Sequence, residues 1–284
     1  MNAASWQLHP FFSKKLRFLD VSVSAPKISP NTDALDPESC EDVLILGCRF
    51  SVGDDCIAIK SGKISMAQKY KAPAARHTIR NCLMEHGHGA VVLGSEISCG
   101  VEELTVCQCC FRDTDRGLRI KSRRGRGKDC VIDNVLFDNI RMEGVLTPIV
   151  INGWYNCVDP DGNSDYVQTR IPQPVDDRTP YFGRFTFRNM ECSGAEVAAA
   201  YVDGLPEAPV KSVALENVCI RFRKDARPGV ATMQKNKKVT CRLGLYFENV
   251  EEVRLENVKL EGTDGERLIP RQVSKVIGEA EELS

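Results

Sequence analysis

The 284-residue chain has no apolar run near the ~18 residues that a membrane-crossing helix needs. Nor does a basic start followed by an apolar stretch mark a secretion signal. The expectation is a cytoplasmic chain with no membrane partner. Net charge is missing too: 38 basic residues stand against 39 acidic ones. No whole-molecule field therefore draws the protein to nucleic acid, although a local basic groove would survive that balance. Histidine is scarce and scattered, four in all. Cys107, Cys109 and Cys110 cluster, but no second cysteine pair stands at a matching spacing, so no metal centre is expected.

Cysteine itself is abundant, with thirteen residues. An odd total in a long chain without a secretion signal points to reduced thiols rather than a disulfide framework. Their positions say why. Cys48, Cys82, Cys109 and Cys192 fall on apolar positions of an internal repeat, and Cys56 sits at a strand edge, where cysteine acts as a small hydrophobe.

That repeat is the main signal in the chain. Seven units read apolar-x-polar-apolar-x-apolar: Ile45-Cys48-Phe50, Ile79-Cys82-Met84, Val106-Cys109-Phe111, Phe137-Ile140-Met142, Phe187-Met190-Cys192, Leu215-Val218-Ile220 and Leu255-Val258-Leu260. An eighth, Phe18-Val21-Val23, precedes them with Asp20 in the polar slot. The slot otherwise holds Asn81, Asn139, Asn189, Asn217 and Asn257, or the variants Gly47 and Gln108. A second apolar alternation follows each early unit at a fixed offset: Ile57 and Ile59, Val91 and Leu93, Leu118 and Ile120, Ile149 and Ile151. Variable spacing around a constant pattern is the signature of an all-β solenoid, with insertions confined to loops. One solenoid domain is expected over residues 1–262, followed by a polar tail, 263–284, whose last residues form a short helix or fray. The chain begins in what reads as mid-coil, without a capping element.

Stacking the coils brings distant residues together. Asp54 and His88 become equivalent, as do Asp55, Gly89 and Arg116. Asp33 stands two residues before Leu35, as Asp55 stands two before Ile57, so the two carboxylates share a column. Gly-Asp-Asp alone is a common turn sequence. Three crowded aspartates are a different matter: like charges raise the pKa of one member, leaving an acid beside ionised partners. That pairing suits cleavage of a glycosidic bond. Arg119 and Lys121 bracket Ile120 and leave the strand on its opposite face, and Lys60 is equivalent to Lys121. Two such cations either neutralise the carboxylates or bind an anionic substrate. The run Arg123-Arg124-Gly125-Arg126-Gly127-Lys128 either extends this patch or forms a solvated loop.

The motifs Asn31-Thr32-Asp33, Gly53-Asp54-Asp55-Cys56, Gly87-His88-Gly89 and Arg119-Ile120-Lys121 occur in the order of the four signatures of glycoside hydrolase family 28, the polygalacturonase family. The chain resembles that family over nearly its whole length, without the family's N-terminal portion. The resemblance implies a right-handed parallel β-helix that hydrolyses galacturonan with inversion. Asp54 would be the general acid, Asp33 and Asp55 would activate water, and His88 would assist the acid. Arg119 and Lys121 would hold the galacturonate carboxylate; Lys60, by its equivalence to Lys121 in the stack, is a third candidate substrate-binding cation. No cofactor is implied, the partner is an anionic oligosaccharide, and a monomer suffices.

Two departures stand out. Ala34 replaces the glycine usual after the first aspartate. About a dozen extra residues, Lys63 to Arg76, resemble the exo-acting bacterial branch, in which loops block one end of the cleft. A further insertion, 154–182, is expected to wall the cleft, with Trp154 or Tyr155 stacking on a sugar. The motifs equally serve a hydrolase of rhamnogalacturonan or of unsaturated oligomer ends. A truncated carbohydrate-binding β-helix without activity is the non-enzyme reading.

Overall fold

The computed structural model describes residues 3–156, 160–236 and 238–283. Each coil contributes strands to three faces, and equivalent strands of successive coils pair in parallel. The first face runs through Arg17–Leu19, Glu41–Leu46 and Ala74–Arg80 into the leading halves of Val101–Arg112, Val131–Glu143, Arg184–Ala195 and Val210–Phe222. Their trailing halves continue a second face begun by Ser22–Ser24, Arg49–Val52 and Leu83–His86. The third face stacks Ile57–Ile59, Val91–Gly94, Arg116–Lys121, Thr147–Asn152 and Ala198–Asp203. The result is the right-handed parallel β-helix.

The polar slot of the repeat is the corner between the first two faces. All eight of its residues are left-handed, with φ from 50° at Asn257 to 68° at Gly47. A left-handed residue costs roughly 1–2 kcal/mol for most side chains, and Gly and Asn tolerate it best. The asparagines also bond along the corner: Asn257 Nδ2 donates to Asn217 Oδ1 at 2.9 Å, Asn217 to Asn189 at 3.2 Å, and Asn189 to Asp138 at 2.9 Å. The apolar positions either side point inward, so Phe137 and Phe187 stack in one buried row and Phe111, from the neighbouring face, meets Phe137 edge-on. The Cys48, Cys82 and Cys109 thiols sit in the next row, buried and unoxidised.

The last twenty residues differ from the expected tail. Leu268–Ile277 and Ala280–Glu282 pair in parallel with the long strand Leu243–Glu261. Neither helix nor fray is present through Glu282. Leu268, Val273 and Ala280 supply the inward contacts, and the charged residues between them obscured this alternation. The first insertion folds as a short helix, Ile64–Tyr70. Residues 157–159 of the second lie outside the described residues, and its remainder is anchored by Arg124. That fully buried guanidinium donates to the carbonyls of Tyr166, Val167 and Thr169 and to Glu207. Among the described residues no helix is long and apolar enough to cross a membrane.

Candidate active site

The site lies where the chain turns into the third face. Leu35 bridges to Ile57, Ile57 pairs with Val91, and Val91 with Leu118, so the residues just before them stack in columns. Asp33, Asp54 and Asp55 offer carboxylate oxygens within 4.8 Å of one another. They line a cleft of about 320 Å³ with Trp6, His88, Arg119, Lys121 and Tyr155. The shared column expected for Asp33 and Asp55 is present. So is the outward projection of Arg119 and Lys121, because Leu118 and Ile120 take the buried side of the same strand.

Glycines make this convergence possible. Gly87 has φ +71°, and a Cβ there would lie 2.2 Å from the Asp54 carbonyl oxygen. At Gly89 a Cβ would lie 2.4 Å from a Val92 methyl and in contact with Arg119 at 3.4 Å, so only glycine fits between the third-face strand and the Arg119 side chain.

Charge is distributed unequally among the three acids. Asp55 is wholly buried, and that burial disfavours its charge. Lys121 Nζ at 2.7 Å and an Arg119 guanidinium nitrogen at 3.1 Å overcome the penalty and hold the carboxyl well below the usual carboxylate range. Asp33 lacks such partners. Burial, followed by the charges of Asp55 and Asp54, pushes its carboxyl up to about 7. Asp54 is only half-buried and accepts from the backbone N–H groups of Asn31 and Asp55, each at 3.0 Å. Near neutrality the site thus combines a fixed carboxylate with a carboxyl that is still partly protonated.

His88 bonds elsewhere than expected. Its Nδ1 pairs with Asp115 at 2.8 Å, and that hydrogen bond raises its pKa. Its backbone N–H donates to the Asp54 carbonyl at 3.2 Å. Sequence reading missed Asp115, yet the stacking rule could have found it: Asp115 precedes Arg116 as His88 precedes Gly89. Lys60 lies in the cleft wall between Asp36 at 3.4 Å and Glu96 at 3.3 Å, with its ammonium 4.3 Å from the centre of the Trp6 ring. Trp154 does not serve as a sugar platform. It is buried between the guanidiniums of Arg124 and Arg170, with its indole N–H donated to Asp203 at 2.8 Å. Tyr155 is the insertion's aromatic that reaches the cleft.

Raised carboxyls make stability depend on pH. Burial lifts Asp36 to about 8, as it lifts Asp33 to about 7. Between about pH 4 and those values the folded chain binds protons that the unfolded chain has released, so its stability falls as pH rises through this window. Asp55 acts oppositely, and its contribution is lost only in strong acid. Thermal melts are expected to show a more stable protein at pH 5 than at pH 8, by on the order of 3 kcal/mol, with a shallower slope in Asp33→Asn. A melting temperature that climbs steadily from pH 5 to pH 8 in both proteins would contradict the assignment.

The fold and the site together define a parallel β-helix that carries a carboxylate cluster beside paired cations. The chain belongs to the glycosyl hydrolases family 28, whose family model matches residues 2–173. It is 27% identical over 231 residues to a probable polygalacturonase of Vitis vinifera, covering 80% of this chain and 44% of that one. To a polygalacturonase of Prunus persica it is 30% identical over 209 residues, 72% of this chain and 47% of the other. Among solved structures, a hyperthermoactive exopolygalacturonase from Thermotoga maritima superposes with a TM-score of 0.67 at 25% identity, over 89% of this chain and 50% of that one. A family 28 exopolygalacturonase of Yersinia enterocolitica shares the fold, with a TM-score of 0.66 at 20% identity, over 87% of this chain and 38% of the other. The chain spans less than half the length of these curated relatives.

Proposed function

We propose that the chain hydrolyses α-1,4-linked galacturonate in pectin and oligogalacturonides, releasing units from a chain end. The observation that carries this reading is the split environment of the aspartates beside Arg119 and Lys121. Hydrolysis needs one proton donor, one ionised carboxylate and a cationic seat for the sugar carboxylate. Asp54, the least buried of the three, donates to the leaving oxygen. Asp55, kept ionised, deprotonates the attacking water, and Asp33 helps to orient it. His88, with Nδ1 engaged by Asp115, presents Nε2 to the cleft beside Asp54. Arg119 and Lys121 neutralise Asp55 and share their remaining donors with the incoming uronate.

Inversion requires acid and base to stand roughly 6.5–9.5 Å apart, with water between them. The cluster is tighter than that, with carboxylate oxygens within 4.8 Å of one another, so the scheme requires Asp54 to leave its backbone donors when substrate docks. Incubation with a defined oligogalacturonide tests the reading. Stepwise release of galacturonate, with the β-anomer appearing first by proton NMR, supports an inverting exo-hydrolase. No cleavage by the folded chain would reject the hydrolase reading, and an initial α-anomer would reject inversion.

A further inference from the structure

Asp115 lies in none of the four motifs, yet its carboxylate is the partner of the His88 imidazole, 2.8 Å from Nδ1. The Asp115 backbone N–H donates to the Gly87 carbonyl at 3.0 Å, one residue before the histidine. Its Oδ2 also accepts from an Arg116 guanidinium nitrogen at 3.2 Å. Arg116 is fixed in turn, because it donates to the carbonyls of Val230 at 2.8 Å and Ala231 at 3.1 Å. Those carbonyls lie at the first strand of a short hairpin, Gly229–Val230 against Val239–Thr240, beyond the residues 2–173 that match the family model. Partial burial disfavours charge on Asp115, but His88 and Arg116 outweigh it and keep the carboxyl below its usual range. An ionised carboxylate beside one ring nitrogen decides where the ring keeps its proton. Here that nitrogen is Nδ1, which leaves Nε2 for the cleft that His88 lines with Asp54.

We propose that Asp115 is a positioning residue for hydrolysis: it fixes the His88 imidazole with a proton on Nδ1 and Nε2 toward the general acid, while Arg116 and the hairpin hold Asp115 in place. The inference rests on the galacturonan reading above. In the reaction, Asp54 gives its proton to the leaving oxygen as the glycosidic bond breaks. Cationic His88 then returns a proton from Nε2 to the Asp54 carboxylate and is reprotonated from solvent. Without Asp115 the ring is free to turn over, to carry its proton on Nε2 alone, or to lose its charge at lower pH. The other charged groups around the ring do not replace it. The Asp115 hydrogen bond is the main influence favouring the cation; burial opposes it, Asp54 adds less, and Arg119 works against it. Lys27, Arg223, Asp113 and Glu196 line the adjoining cavity of about 220 Å³, so their charges balance.

Steady-state kinetics of wild type, Asp115→Asn, His88→Ala and the double variant on an oligogalacturonide test this. Asp115→Asn is expected to lower kcat by roughly 10–100-fold at neutral pH, with KM within about twofold. The alkaline limb of its pH profile moves to lower pH, because the hydrogen bond that raises the His88 pKa is gone. In the His88→Ala background the same substitution changes kcat by less than about twofold, since no ring is left to place. Long-range proton–nitrogen NMR reads the imidazole without substrate. His88 is expected as the Nδ1–H form in wild type, and to titrate at lower pH in Asp115→Asn. An Nε2–H ring in wild type overturns the proposal without any variant. So does a full loss on adding Asp115→Asn to His88→Ala, the mark of a structural role, or an unchanged kcat and pH profile in Asp115→Asn. These outcomes leave the hydrolase reading intact. If wild type cleaves no oligomer, the galacturonan reading fails and this proposal with it.

Discussion

Asp54→Asn is expected to slow galacturonan hydrolysis by about 10²–10⁴-fold while leaving oligogalacturonide affinity within about twofold. The substitution removes the carboxyl that would donate the proton. Asp54 accepts from two backbone N–H groups and takes part in no ion pair among the described residues, so an amide of the same shape keeps one of the two acceptors and breaks no ion pair. Product chromatography gives the rate, and calorimetric titration with the same oligomer gives the affinity. Full binding with lost turnover separates an enzyme from a carbohydrate-binding β-helix. Retained turnover would instead move the acid role to Asp33, whose carboxyl holds its proton up to about 7.

Lys121→Met is expected to destabilise the fold by about 3–5 kcal/mol, the usual cost of removing one partner from a buried ion pair. Asp55 lies at the bottom of the cleft with no exposure, and Lys121 is its shorter contact, at 2.7 Å against 3.1 Å for Arg119. Methionine keeps most of the side-chain volume, so the loss reports the Asp55 carboxylate left to Arg119 alone rather than a cavity. The double variant Asp55→Asn with Lys121→Met recovers part of the stability, because the buried carboxylate is gone while Arg119 loses its partner, but it recovers no activity. Urea denaturation of the four proteins in the cycle measures the coupling. A single-variant loss below about 1 kcal/mol, typical of a surface pair, would show that Asp55 is not held in this way.

The two variants probe opposite ends of one electrostatic gradient. Asp55 is ionised at the cost of two buried cations, and its fixed charge helps keep a proton on its neighbour Asp33. Asp55 could not hold its charge in this cleft without those cations, whereas burial alone already favours the proton on Asp33. Arg119 and Lys121 therefore have two tasks, and substitutions there mix stability with binding unless the compensating Asp55 change is made.

The repeat made the coil architecture and the aspartate columns readable from residue identities alone. A left-handed corner admits few side chains, so Asn, Gly, Asp and Gln recur there, and the period-two alternation either side follows from burying one side of each strand. Once coils are in register, residues far apart in sequence become neighbours one strand spacing apart, which is why Asp33, Asp54, Asp55 and His88 could be grouped without coordinates. Side-chain direction and charge state obey no such repeat. The pairing of His88 with Asp115, the burial of Trp154 between Arg124 and Arg170, and the division of the basic run between Arg124, which anchors an insertion, and Lys128, which pairs with Asp177, depend on loops that break the period. The continuation of strands beyond residue 263 was hidden for a related reason: an outer coil keeps charge on its exposed side, and its few inward contacts at Leu268, Val273 and Ala280 are too sparse to mark a pattern. Burial and proximity in three dimensions, which local sequence does not encode, assigned the protons among the aspartates.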